Sequence, residues 1–165
     1  MKVSAENFLL DNNSLATKEN VFFITGNDDS VINQVEKKVI EKAGIANALE
    51  IYKTNQASII APTDLMDSQG SIFNETKACI HNNPKELNLD IFKNLEQVSL
   101  PIVINSPKTK VGTKIKNFFD RHENFLSISC YQITRDFKKK LIQKFLSNKK
   151  TNLEDEAFWF LIDNI

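Results

Sequence analysis

One short loop stands where a protein could bind phosphate. It lies between an apolar run at residues 21–25, which predicts a buried strand, and a helix pattern that begins near residue 30. Backbone N–H groups at a strand-to-helix junction attract anions, and a glycine there lets the chain wrap around them. The four residues of this loop are Gly26, Asn27, Asp28 and Asp29.

The residue types in this loop argue against a nucleotide. A phosphate loop requires the pattern G-x-x-x-x-G-K-[ST], in which the lysine and the hydroxyl bind phosphate and Mg²⁺. Counted from Gly26, the last three places (residues 31–33) read Val-Ile-Asn. Asp28 and Asp29 would cap the following helix and compete with an anion for its positive end. The strand at residues 77–81 is followed by two asparagines instead of an acid that could hold Mg²⁺. We therefore expect a degenerate, non-binding phosphate loop and no cofactor.

Other catalytic or metal-binding constellations are sparse. His81 and His122 are the only histidines, and although a Ser-His-Asp site would be compatible with them, no G-x-S-x-G motif is present. Cys79 and Cys130 each lie in an apolar run without a second cysteine or a histidine at metal-ligand spacing. Buried free thiols in a reducing compartment, hydrogen-bonded histidines at the surface or at a strand end, and no catalytic activity are the expectations.

The elements that position the loop alternate between strand and helix patterns. Five short apolar runs separated by helical segments predict a parallel α/β sheet whose strands are buried on both faces. These runs cover residues 21–25, 48–53, 77–81, 100–106 and 125–131. We expect a short helix near the N-terminus, with Ser4 as a possible cap, and further helices at 63–67, 84–95 and 112–119. The α/β domain is thus expected to span residues 1–131.

Only helix patterns follow residue 131. Thr134 can cap a helix whose apolar residues form one stripe, and residues 151–154 read as a capping box before a second helix. Residues 132–165 therefore predict the beginning of a small helical domain. Because the second helix reaches Ile165 without a C-cap signal, we expect this domain to continue.

Charge is balanced overall but uneven along the chain. Residues 1–100 contain 9 basic and 14 acidic residues, whereas residues 101–165 contain 12 basic and 7 acidic residues. A solvated helix face explains the main basic cluster, and a DNA-facing surface is the alternative. The lysines of this cluster are Lys138, Lys139, Lys140 and Lys144. No apolar run is long enough to cross a membrane, so a cytoplasmic protein is expected.

Four segments together resemble one protein family, the delta subunit of the bacterial DNA polymerase III clamp loader. The resemblance covers nearly the whole chain, but only the first domain and the beginning of the second of the three domains in that family. The order and spacing of the segments support it more than any one motif. The segments are Asn7–Leu10, Phe22–Asp28, Ser71–Asn74 and Ile128–Tyr131.

The resemblance implies an AAA+-like (P-loop NTPase-like) fold that has lost nucleotide binding. It further implies binding to the beta sliding clamp and opening of one interface of that ring, next to the gamma/tau and delta prime subunits. Contact with DNA would be indirect or weak. The family oligomerises mainly through a C-terminal collar, so a monomer is expected for this chain. A degenerate P-loop NTPase and a nucleic-acid-binding module that uses the basic helix are the alternatives.

The resemblance also assigns the clamp contact. Ile72 and Phe73 match the apolar pair that inserts into a pocket of the clamp, with Ser71 and Gln69 beside them. Ile72 stands where the family usually has leucine, which keeps the volume but changes the shape. The residues alone favour a different interpretation, in which both side chains fold back under the sheet. The resemblance favours the exposed anchor.

Overall fold

The computed structural model describes residues 1–10, 19–43, 50–54, 77–82, 101–107 and 112–164. The chain divides into two compact units, Met1–Tyr131 and Gln132–Ile165. The predicted helices at 63–67 and 84–95 lie outside the described residues. None of the described helices is long and apolar enough to span a membrane.

The first unit is built on a parallel sheet, and the predicted α/β fold is confirmed. The strands are β1 (Lys2–Ser4), β2 (Val21–Gly26), β3 (Glu50–Thr54), β4 (Lys77–Asn82), β5 (Ile102–Pro107) and β6 (Phe125–Cys130). They are arranged in the order β1-β6-β2-β5-β4-β3, and every described pair is parallel. The described helices of this unit are α1 (Ala5–Leu10), α2 (Asp29–Lys42) and α3 (Thr113–Arg121).

The short edge strand β1 was not predicted. The sequence suggested only a helix near the N-terminus, because a three-residue strand is too short to show an alternating or continuous apolar pattern. In the structure Lys2, Val3 and Ser4 pair with residues 127–129 of β6. The chain then turns directly into α1, which begins at Ala5.

The central strand β2 is buried because helices cover both faces of the sheet. Residues 21–25 are all buried, which explains why this stretch reads as a continuous apolar run. On one face Phe23 stacks on Phe119 of α3, with ring centroids 4.1 Å apart. Helix α2 contacts β2 and β5, and its Glu36 bonds to Asn105 on the opposite face. Full burial of each large apolar side chain contributes about 1.5–3 kcal/mol to folding.

The second unit contains the helices α4 (Arg135–Lys149) and α5 (Asp155–Asn164). Thr134 caps α4 as predicted, since its Oγ1 accepts the N–H of Phe137 at 3.2 Å. The predicted apolar stripe of α4 is only partly buried: Phe137 is 3% exposed, but Phe145 is 60% exposed. Arg135 and Asp163 form an exposed ion pair between the two helices at 2.9 Å.

The predicted start of α5 is wrong by about one turn. The sequence placed its N-cap at Thr151, but the helix begins at Asp155. Lys150 adopts a left-handed conformation with φ 52°, and the N–H of Thr151 donates back to the carbonyl of Leu146 at 3.1 Å. Thr151 therefore belongs to the C-terminal turn of α4, which leaves it unable to begin the next helix.

Candidate functional site

The loop at residues 26–29 connects the carboxyl end of β2 to the start of α2. Gly26 is the last residue of β2 and lies in register with Cys130, the last residue of β6. The N–H of Asn27 donates to the carbonyl of Cys130 at 3.1 Å, and the N–H of Asp28 makes a longer bond to the same oxygen at 3.4 Å. The first two N–H groups after the glycine are thus directed at the neighbouring strand.

Gly26 permits this close approach. Its φ is +154°, and a Cβ atom added to it would lie 1.7 Å from the carbonyl oxygen of Cys130. That distance is far below any van der Waals contact, and the obstacle is backbone that cannot rotate away. The glycine of this loop is therefore required by the neighbouring strand itself.

Asp28 is the N-cap of α2, as its position in the sequence predicted. Its Oδ1 accepts the N–H of Val31 at 3.1 Å, and its carbonyl accepts the N–H of Ile32 at 3.0 Å. Asp29 lies in the first turn of α2, where its charge is favourable. A carboxylate therefore already occupies the positive end of the helix, where a phosphate would otherwise bind.

The same carboxylate acts on the end of β6. Burial, with an additional contribution from the negative charge of Asp28, raises the pKa of the Cys130 thiol to about 12. Cys130 is fully buried and is a free thiol. It is therefore a protonated structural residue at neutral pH, as expected for a buried thiol.

Further polar side chains lie at the carboxyl ends of neighbouring strands, which is the usual ligand-binding edge of an open α/β sheet. Thr25 is in register with Ser106 of β5 and with Ser129 of β6, so three hydroxyls form a row across the sheet. Among the described residues, Ser106 and Ser129 have no hydrogen-bond partner for Oγ. The row offers hydrogen-bond donors and acceptors, but no positive charge that would attract a phosphate.

Asn105 belongs to the other face of the sheet. Its Nδ2 donates to the Oε2 of Glu36 at 2.5 Å and to the Oδ1 of Asn82 at 2.8 Å. This buried amide connects β5 to α2 and to β4. It is therefore held by the protein itself and positions two elements beside the loop.

His81 and Cys79 form a neutral pair inside β4. The Nε2 of His81 is 3.0 Å from the Sγ of Cys79, and both side chains are buried. Burial lowers the pKa of His81 and raises the pKa of Cys79 to about 11. Because both groups are held uncharged, the pair lacks the thiolate that a cysteine nucleophile requires. Cys79 is a buried free thiol, as predicted. His81 lies near the end of β4, but among the described residues its Nδ1 has no hydrogen-bond partner.

The remaining predicted site residues lie either outside the described residues or in the second unit. The clamp-contact residues Gln69, Ser71, Ile72 and Phe73 lie outside the described residues. The four lysines of the basic cluster lie on α4, in the second unit. Lys139 places its Nζ 5.5 Å from the ring centroid of Trp159 on α5. Among the described parts of the chain, no group of acidic, histidine or cysteine side chains could hold a metal ion.

Sequence reasoning missed the bond between the loop and the carbonyl of Cys130. A backbone acceptor has no signature in the residue type that carries it. The available signal was Gly26, a single glycine where a phosphate loop would have several. Lys38 was also missed: its Nζ donates to the carbonyls of Phe8 and Leu9 at 2.6 and 2.8 Å, which holds the end of α1 on α2.

Comparison with known proteins identifies the fold. The structure of the Bacillus subtilis DNA clamp loader delta protein (YqeN) matches 85% of this chain with a TM-score of 0.54 and 9% sequence identity. The fold is similar to that of a clamp-loader delta protein. The matched part is 46% of the YqeN chain, so the likeness extends over less than half of that protein. At this identity the likeness concerns the fold.

Two structures of replication initiators also match, with lower TM-scores. Domain III of the Thermotoga maritima replication initiation protein DnaA matches 98% of this chain and 80% of its own, with 15% identity and a TM-score of 0.45. AMPPCP-bound DnaA from Aquifex aeolicus matches 98% of this chain and 54% of its own, with 15% identity and a TM-score of 0.48. No protein-family model and no curated protein sequence matches the chain.

Proposed function

We propose that this chain acts as a clamp-loader delta subunit in DNA replication. In this role it binds the beta sliding clamp and holds one interface of the ring open, while partner subunits of the gamma/tau and delta prime type supply ATP hydrolysis. The observation that carries the proposal is the loop of residues 26–28 within a delta-like fold. In this loop the N–H groups of Asn27 and Asp28 donate to the carbonyl of Cys130. The scaffold of a nucleotide-binding protein is thereby used without a nucleotide.

The same loop supports the proposal that the chain has no catalytic activity of its own. A phosphate bound there would have to displace the carbonyl of Cys130 and approach the carboxylate of Asp28, which caps α2. Neither the lysine nor the hydroxyl of a phosphate loop is available to offset these costs. The proposed subunit therefore binds no cofactor and contributes no chemistry of its own to the DNA polymerase III holoenzyme.

The clamp contact is assigned to Ile72 and Phe73, with Ser71 and Gln69 at its rim. An apolar pair flanked by polar residues suits a pocket on a partner, because a buried aromatic anchor can contribute about 2 kcal/mol or more to binding. DNA contact through Lys138, Lys139, Lys140 and Lys144 is secondary and weak in this proposal. The chain acts as a cytoplasmic monomer until it joins the other subunits.

Binding to the sliding clamp of the same organism tests the proposal. We expect a dissociation constant in the micromolar range or tighter for the wild type, measured by titration calorimetry. The double variant Ile72→Ala/Phe73→Ala should weaken binding by roughly thirtyfold or more, which corresponds to about 2 kcal/mol. The matched control is Phe145→Ala/Phe160→Ala, which removes two aromatic side chains that are 60% and 66% exposed in the second unit. A folded wild type that does not bind would refute the proposal.

Thermal unfolding in the presence of ATP tests separately whether the chain binds a nucleotide. A ligand that binds only the native state at a hundredfold excess over its dissociation constant adds about 2.7 kcal/mol of stability. We expect millimolar ATP with Mg²⁺ to leave the melting temperature unchanged. A clear rise would favour a degenerate but functional NTPase instead.

A further inference from the structure

We propose that the loop of residues 26–28 is a latch that fixes the start of the connection between the two units. The loop holds the carbonyl of Cys130, the last residue of β6, by two backbone N–H groups. Two residues later, at Gln132, the chain enters the second unit. This inference concerns the connection between the units and does not depend on clamp binding.

The connection has a defined beginning and a defined end. It begins after Cys130, which the latch holds, and it ends at Thr134, whose side chain caps α4. Residues 131–134 between these points belong to no helix or strand. Tyr131 is more than half exposed, and the Nζ of Lys116 lies 5.8 Å from its ring centroid. The latch and the cap of α4 therefore confine backbone freedom to the short segment 131–133, which is the hinge in this proposal.

The geometry of the loop allows the latch to hold the end of β6 without a bound ligand. In the strand register Gly26 faces Cys130, and the bond from Asn27 continues the ladder between β2 and β6 by one step. The absence of a Cβ on Gly26 is what allows the two backbones to approach. A carbonyl oxygen accepts the N–H groups that would otherwise bind phosphate, so no ligand is needed to hold the end of β6 in place.

Asp28 connects the same latch to α2. Its N–H donates to Cys130, while its side chain and its carbonyl cap the first turn of the helix. One residue thus joins the end of β6 to the beginning of a fourteen-residue helix that packs on the sheet. Displacement of the end of β6 would disturb the helix cap as well, which makes the latch stiff.

Amide hydrogen exchange of the whole chain tests the latch. We expect the amides of Asn27 and Asp28 to exchange about a hundredfold or more slowly than unprotected amides, whereas those of residues 131–133 exchange fast. Addition of millimolar pyrophosphate or ATP with Mg²⁺ should leave these rates unchanged. Fast exchange at Asn27 and Asp28 in the wild type would overturn the latch, as would protection of both amides that appears only with pyrophosphate.

The variant Gly26→Ala provides the positive test, with Gly112→Ala as its control. Apart from its own chain neighbours, no atom of the described residues lies within 4 Å of a Cβ built at position 112. We expect Gly26→Ala to speed exchange at residues 27–28 and at the last residues of β6, and Gly112→Ala to leave both regions as in the wild type. Equal exchange at residues 27–28 in all three proteins would overturn the proposal. The wild-type measurement decides the question even if Gly26→Ala does not fold.

Discussion

The backbone N–H of Asn27 donates to the carbonyl of Cys130 at 3.1 Å, and this bond joins the carboxyl ends of β2 and β6. The donor belongs to a loop that occupies the position of a phosphate loop, and the acceptor precedes the connection to the second unit. An N–H group that donates within the protein is no longer available to an anion. In the proposed function, this contact is what would let the loop keep its conformation without a nucleotide.

Replacement of Gly26 by alanine should destabilise the protein by about 3 kcal/mol, because the added methyl group would lie 1.7 Å from the carbonyl oxygen of Cys130 and force the backbone apart. Gly112→Ala should change stability by less than about 1 kcal/mol, since its Cβ would meet no atom of the described residues other than its chain neighbours. Chemical denaturation of both variants beside the wild type measures the difference. Equal stabilities for the two variants would show that the close approach is not required.

Asp28→Ala should lower the free energy of unfolding by about 1 kcal/mol, because it removes the acceptor of the N–H of Val31 at the start of α2. Asp28→Asn keeps an oxygen that can cap the helix and should remain close to the wild type. Denaturation curves of the two variants separate the effect of the capping hydrogen bond on stability from the effect of the negative charge. If Asp28→Asn were as unstable as Asp28→Ala, the charge of the carboxylate and not its hydrogen bond would be the stabilising feature.

His81 should make stability depend on pH. Burial lowers its pKa below the ordinary value of 6.5, so the unfolded chain binds a proton more readily than the folded one. The contribution of neutral His81 is thus complete above about pH 6.5 and is lost as the pH falls through that value toward the folded-state pKa. Between pH 7.5 and 5.5 the free energy of unfolding should fall more steeply in the wild type than in His81→Leu. Parallel curves for the two proteins would contradict the assignment.

The two thiols should resist modification in the native state. Cys79 and Cys130 are fully buried, and their pKa values are raised to about 11 and about 12. The rate of reaction with an aromatic disulfide at pH 8 should therefore be limited by opening of the fold. In denaturant both thiols should react at once, which serves as the control. Rapid labelling of one thiol in the native protein would show that its strand is more accessible than the structure indicates.

The sequence predicts the sheet well because burial on both faces produces continuous apolar runs, of which residues 21–25 are the clearest. The N-cap role of Asp28 is equally local, since the side-chain oxygen and the N–H of Val31 that it accepts lie three residues apart. The partner of Asn27 is different, because Cys130 is distant along the chain and contributes only a carbonyl. Long-range backbone contacts of this kind follow from strand order, which local patterns do not specify.

Local sequence patterns also fail to predict which apolar side chains of a helix are exposed. Phe145 continues the apolar stripe of α4 in the sequence, yet it is exposed in the described structure. Periodicity identifies the apolar side of a helix but not how far its neighbours extend along it. Thr151 is a second example, because its residue type suits an N-cap while its backbone completes the preceding helix.

Opening of the clamp ring without nucleotide is the most direct test of the proposed function. Two dyes placed across one interface of the sliding clamp would report its opening as a loss of energy transfer when this chain is added in the absence of ATP. We predict a saturable loss with the wild type and with Phe145→Ala/Phe160→Ala, and little or none with Ile72→Ala/Phe73→Ala. Unchanged energy transfer at saturating concentrations of the folded wild type would contradict a role in opening the clamp.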